Sequence, residues 1–176
     1  MNTANINLAI QVRDLLQQRN ARLVTAESCT AGRIAATLSS LPGVSQWLCG
    51  GFVVYRSGSK NAWLGIPWDV LNDPQYGPVS QLASDLLCVA ALEKTPEATW
   101  SLAITGDVGP GAPASTDGHC FVSVKLSRDA KIVNKTLLLR SPPPENAGDI
   151  AARVARLDEA TGQAFKFLLE QSASLA

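Results

Sequence analysis

The stretch VTAESCTAG, Val24 to Gly32, sets Glu27, Ser28, Cys29 and Thr30 side by side, and an amphipathic segment starts directly after it. A serine in a tight turn between a strand and a helix presents its hydroxyl above the sheet end, with unbonded backbone N–H groups close by. Such groups hold an anion or a developing oxyanion. Ser28 is therefore either a nucleophile or a helix N-cap, and Glu27 either a buried functional carboxylate or a second capping group. Further on, YRSGSK puts Tyr55 at the end of an apolar run and Lys60 just beyond it. Because the chain has one histidine, a serine nucleophile here calls for a lysine base, whose pKa falls when it is desolvated. The same two residues are as easily ordinary surface groups, so only the fold can bring them to Ser28.

The elements that would do so are readable from periodicity. Leu8, Val12, Leu15 and Leu16 recur at helical spacing, which predicts a helix over Thr3 to Arg19 ended by Asn20. RLVTA is a short strand, and Thr30 to Ser40 a second helix closed by Pro42 and Gly43. WLCGGFVVY is a strand in which Gly50 and Gly51 signal a bulge or a close backbone approach. Lys60 to Leu64 is helical, and Ser80 caps a helix running to about Lys94. TWSLAITG is a half-buried strand, Asp107 to Gly118 a loop, and His119 to Leu126 and Lys131 to Arg140 two further strands. After the SPPP break, Ile150, Val154, Leu157, Thr161, Ala164 and Leu168 form the stripe of a final helix. The pattern predicts one domain over 1–176, an α/β three-layer α/β/α sandwich with a mixed central sheet.

Composition narrows the function classes. Fifteen basic and fifteen acidic residues cancel, and no basic stripe points to nucleic acid. No apolar run reaches membrane-spanning length, and MNTANIN lacks the pattern of a signal peptide, so a cytoplasmic protein without membrane contact is expected. Cys29, Cys49, Cys88 and Cys120 stand far apart with no C-x-x-C pair, which argues against zinc and for reduced thiols. Trp63 and Trp68 are candidates for a self-association surface, and with it a homo-oligomer.

TAESCTAG, GGFVVYRSGSK, YGPVS and ITGDVGPG follow one another in the order found in the C-terminal domain of the CinA proteins and their stand-alone relatives, the nicotinamide mononucleotide deamidases. The chain resembles that family over nearly its whole length, the first block being the most specific. The resemblance implies hydrolysis of the carboxamide of nicotinamide mononucleotide to nicotinate mononucleotide and ammonia, without metal or cofactor, and a three-layer fold. It matches Ser28 to the nucleophile and Tyr55 and Lys60 to the groups that activate it, while Ser45 and Thr105 fall on nucleotide-binding positions. On this reading the N–H groups of Cys29 and Thr30 hold the oxyanion and the glycine loop from Gly106 through Gly109 to Gly111 cradles the phosphate, although such a loop is equally a plain strand connection. Of the C-terminal arginines, Arg153 is preferred over Arg156 as a substrate contact.

The chain also departs from the family pattern. Ala31 stands for a glycine, Arg56 and Ser57 for a serine–asparagine pair, and Tyr76 and Pro78 for a histidine and an alanine. Asp107 replaces an apolar residue in a shortened glycine loop, where an inward carboxylate would repel a phosphate. His119 takes the position of a small hydroxyl residue, and it either narrows the pocket or acts as an added acid or base, or serves only structure. Two alternatives to the deamidase therefore stay open: a non-catalytic relative that binds a nucleotide or a partner, and an amidase for another carboxamide.

Overall fold

The computed structural model describes residues 2–127, 131–143, 145, 146 and 148–173, so Pro144 of the SPPP break lies outside the described residues. Five strands, β1 (Leu23–Glu27), β2 (Leu48–Val53), β3 (Trp100–Gly106), β4 (His119–Lys125) and β5 (Val133–Leu138), form one sheet in the order β2-β1-β3-β4-β5. β1 pairs in parallel with both β2 and β3, and β4 and β5 are added antiparallel. The mixed sheet expected from the sequence is present.

Each face of the sheet is covered. Leu23, Leu102, Ile104 and Val122 pack against α1 (Thr3–Gln18), α2 (Arg33–Ser39) and α6 (Ile150–Ala173). Val24, Ala26 and Ala103 pack on the other side, against α5 (Gln81–Lys94) and the shorter α3 (Ser57–Leu64) and α4 (Trp68–Leu71). Each leucine, isoleucine or valine so buried stabilises the fold by about 1.5–3 kcal/mol before ordering costs. β1 is buried along its whole length because it lies inside the sheet between these two layers.

The connections fix where a ligand can sit. From β1 the chain passes through α2 to β2, then back across β1 through α3, α4 and α5 to β3. Crossovers of one hand running in opposite directions put their helices on opposite faces; Ile34 of α2 and Leu87 of α5 accordingly lie in different cores. The strand order reverses at β1, and the crevice beyond the carboxyl ends of such strands is the usual ligand position in open α/β sheets.

Local details refine the sequence reading. Ser80 caps α5 as expected, its hydroxyl accepting the Ala83 N–H at 3.1 Å. Opposite Leu23 and Val24 the β2 register skips Cys49, a bulge, and a Cβ on Gly51 would lie 2.3 Å from Thr25 Oγ1, so β2 approaches β1 too closely for any side chain there. α2 begins at Arg33 rather than Thr30: Ala31 (φ 51°) and Gly32 (φ 92°) are left-handed, and the helix cannot extend back through them. α3 begins at Ser57, ahead of the expected Lys60, and β5 is shorter at both ends than Lys131 to Arg140.

Candidate active site

Ser28 is the first residue past β1, and its N–H donates to the Ile104 carbonyl at 3.0 Å, which ties the turn to β3. Glu27, just before it, is buried and points under the turn. Its carboxylate accepts from Thr30 Oγ1 at 2.7 Å, Ile34 N at 3.1 Å and Ala35 N at 2.9 Å. Glu27 is thus the cap of α2, and the capping role left open for Ser28 is already filled. Among the described residues no protein acceptor takes the Cys29 or Thr30 N–H, so the unbonded donors belong to the turn and not to the first turn of α2.

Lys60 reaches Ser28 from the neighbouring strand end. The Val54 N–H donates to the Glu27 carbonyl at 2.8 Å, extending the β1–β2 ladder past β2, and α3 then carries Lys60 back over it. Nζ lies 2.8 Å from Ser28 Oγ, 3.0 Å from the Val54 carbonyl oxygen and 3.4 Å from that of Tyr55. Lys60 is 2% exposed and Ser28 6%. Burial lowers the amine from its ordinary range to about 8, against a smaller opposing influence of the Cys29 thiol. A neutral amine has two N–H bonds and one lone pair. With the two carbonyls taking the N–H bonds, the lone pair is left for the Ser28 O–H.

The pair opens into a cavity of about 850 Å³. One wall is Tyr55, Arg56, Ser57 and Gly58 at the start of α3; the other is the loop from Gly106 through Gly109 to Pro113, with Trp68 and Pro78 also on the lining. Gly106 is required where it stands, since a Cβ there would lie 2.5 Å from Cys120 Sγ and 2.7 Å from the His119 carbonyl oxygen. Arg153 of α6 spans the two walls, donating from Nη2 to the Tyr55 hydroxyl at 2.8 Å and from Nη1 to the Gly109 carbonyl. Arg56, Lys60 and Arg153 are the cations of the lining and Asp107 is its carboxylate. Among the described residues there is no group of three or more His, Cys, Asp or Glu side chains suited to a metal ion.

Of the residues named from the sequence, Ser28, Cys29, Tyr55, Lys60, Gly106, Gly109 and Arg153 come together at this cavity. Several roles need correction. The hydroxyl of the 52%-exposed Tyr55 accepts from Arg153, and Tyr55 meets Lys60 through its backbone carbonyl, so among the described residues its phenol makes no hydrogen bond to Ser28 or Lys60. Thr30 turns its hydroxyl down to Glu27. Thr105 is buried behind the wall, where its hydroxyl donates to the Pro78 carbonyl at 2.9 Å and braces that segment. His119 is off the lining: its carbonyl accepts the Asp107 N–H, and its buried Nδ1 has no hydrogen-bond partner among the described residues. Ser45 precedes β2, at the opposite end of the parallel strands, and lines a separate cavity of about 310 Å³ with Arg22, Cys49 and Glu97. Arg156, one turn beyond Arg153, is buried and bound to Asp117 at 2.6 and 3.0 Å, holding the Asp117 carboxyl below its usual range.

Sequence reasoning missed Trp68 as part of the site and named Arg56 as a departure that changes its charge, without counting it among the binding residues. Arg56 was visible as a departure beside Tyr55, whereas nothing local to Trp68 signals that its segment returns over the sheet end.

A buried serine–lysine pair at the switch point of a mixed five-stranded sheet opens into a cavity lined by polar and charged groups, in an α/β domain with helices on both faces. The model of the CinA C-terminal domain family matches residues 5–154, and the chain belongs to that family. It is 40% identical over 105 residues to a CinA-like protein of Prochlorococcus marinus, covering 60% of this chain and 24% of that one. It is 37% identical over 118 residues to the nicotinamide-nucleotide amidohydrolase PncC of Pseudomonas putida, covering 66% of this chain and 72% of that protein. The chain spans about a quarter to a third of the length of the curated CinA-like relatives it matches first. A CinA superfamily protein from Klebsiella pneumoniae superposes with a TM-score of 0.84 at 22% identity over 99% of both chains, a likeness of fold. A competence/damage inducible protein from Agrobacterium tumefaciens gives 0.81 at 26% identity, over 97% of this chain and 96% of that one.

Proposed function

We infer that this domain is an amidohydrolase that converts nicotinamide mononucleotide to nicotinate mononucleotide and ammonia, with Ser28 as nucleophile and Lys60 as its base. The observation that carries this reading is the 2.8 Å contact between Ser28 Oγ and a buried Lys60 amine lowered to about 8. At pH 7 about one such amine in ten is neutral, against fewer than one in a thousand for a free lysine. The name of the Pseudomonas putida relative supports the substrate.

In the reaction Ser28 Oγ bonds to the carboxamide carbon as its proton moves to Lys60 Nζ, and the oxyanion is held by the Cys29 and Thr30 N–H groups. The carbon–nitrogen bond then breaks, Lys60 returns the proton to the departing nitrogen, and ammonia leaves an acyl ester on Ser28. Water, deprotonated by the same amine, releases the acid and restores the serine. The phosphate lies toward Arg56, Arg153 and the first-turn N–H groups of α3, because Asp107 makes the inner glycine loop unfavourable for it.

The test is ammonia release from nicotinamide mononucleotide by the purified protein and its Ser28→Ala variant. Release lost in the variant is expected. Release that survives the substitution would refute the serine mechanism, and none from the unaltered protein would refute the activity.

A further inference from the structure

Asp107 is the only carboxylate among the described residues lining the cavity, and its side chain makes no hydrogen bond or ion pair among the described residues. Its backbone is fixed on both sides: the N–H donates to the His119 carbonyl and the carbonyl accepts from Gly118 N–H, each at 2.9 Å. It therefore needs no side-chain partner for structure. It follows Gly106 at the carboxyl end of β3, and Ser28 is tied to the same strand end through Ile104. The arginines stand on the outer side, where Arg153 joins the exposed Tyr55 hydroxyl. The lining thus carries one carboxylate, on the loop that leaves β3, besides Lys60 at Ser28 and the two arginines.

An unpaired carboxylate on the lining of a cavity favours a cation beside it and disfavours an anion. We propose that Asp107 is a specificity residue that selects carboxamides borne on a positively charged ring. This rests on the amidohydrolase reading and goes beyond it by naming the charge of the group beside the carboxamide. In a pyridinium-3-carboxamide a single ring atom separates the cationic nitrogen from the carbon bearing the amide, so a carboxamide seated at Ser28 brings that charge to the β3 end. The uncharged ring of the reduced, dihydropyridine nucleotide carries the same ribose and phosphate without the cation. A full charge held at several ångströms in a half-solvated cleft changes relative affinity by about tenfold.

The experiment measures equilibrium binding by calorimetry in the Ser28→Ala protein, which holds either nucleotide without turnover. Oxidised and reduced nicotinamide mononucleotide are titrated with Asp107 intact, with Asp107→Asn and with Asp107→Glu. Asp107→Asn is expected to weaken the oxidised form about tenfold while the reduced form stays within about twofold, and Asp107→Glu to retain the preference. The retained binding of the reduced form also reports that the variant is folded. An unchanged ratio in Asp107→Asn, equal loss of both forms, or no saturable binding of either would overturn the proposal. Ammonia release by the protein with Ser28 in place decides the amidohydrolase reading separately.

Discussion

Lys60→Met removes the buried amine while keeping an unbranched side chain of similar length. Folding lowers the Lys60 pKa from its ordinary 10.5 to about 8. Between those values the unfolded chain binds more protons than the native one, so the stability of the unaltered protein rises with pH across that window and is flat below it. At 1.36 kcal/mol per unit the full rise is about 3 kcal/mol. In Lys60→Met the rise disappears. Near pH 7 the variant escapes the desolvation of a charge but leaves the Val54 carbonyl, 3.0 Å from Nζ in the native protein, without its donor. That costs about 1–3 kcal/mol, so the two proteins should have similar stability at pH 7, with the unaltered protein gaining about 3 kcal/mol over the variant by pH 10.5. The assay is urea denaturation of both from pH 6.5 to 10.5. Parallel curves would show that Lys60 does not titrate in this range, and the assignment of a readily neutralised base would fail with them. On the proposed activity, kcat/KM should climb with pH to a limb near 8 that is missing in the methionine variant.

Two other residues give sharp contrasts. Tyr55→Phe removes a hydroxyl that meets Arg153 rather than Ser28, so the expected outcome is a several-fold rise in KM with kcat nearly unchanged; a hundredfold loss of kcat in steady-state kinetics would restore the phenol to the chemistry. Arg156→Ala strands Asp117 and the Ser141 carbonyl, which Arg156 Nε reaches at 3.1 Å, and should cost about 3 kcal/mol in denaturant unfolding. Because the Asp117 carboxyl is lowered in the native protein, this contribution is present above about pH 4 and fades as pH falls through the depressed value. A loss below about 1 kcal/mol, or one that persists unchanged in acid, would contradict the ion-pair account.

What could be read from the sequence follows the range of the interactions. The β1 turn, Lys60 beyond β2 and the Ser80 cap were legible because each depends on neighbours within a few residues. The alternation of strands and helices left open whether the ends of β1 and β2 meet, and it is their parallel pairing that brings Lys60 to Ser28. The roles that needed correction depend on contacts between distant segments. Whether the Tyr55 phenol turns to Ser28 or to Arg153 depends on where α6 docks. Arg153 and Arg156 are one turn apart on one helix, and only tertiary packing decides that the first lines the cavity while the second is committed to Asp117. Ser45 sits near Ser28 in the chain, but it precedes β2 whereas Ser28 follows β1, so parallel pairing sends the two to opposite ends of the sheet. The α2 boundary failed for a local reason, since an alanine at φ 51° cannot be anticipated from its type.

The site also divides between parts of the fold, and that division explains how the chain can depart from its family's pattern and keep the pair intact. Ser28 and Lys60 are anchored by β1, β2, Glu27 and the carbonyls of Val54 and Tyr55. Asp107 and the glycine loop instead belong to the connection between β3 and β4, and His119 is the first residue of β4. Replacing a side chain on that loop alters the charge and shape above Ser28 without touching a hydrogen bond that holds it, except the backbone link to Ile104, which no side-chain change removes. The proposed nucleophile and base are therefore insulated from variation in the wall that meets the ring. A change such as Asp107→Asn should accordingly shift which carboxamides are accepted while leaving the Ser28–Lys60 contact in place.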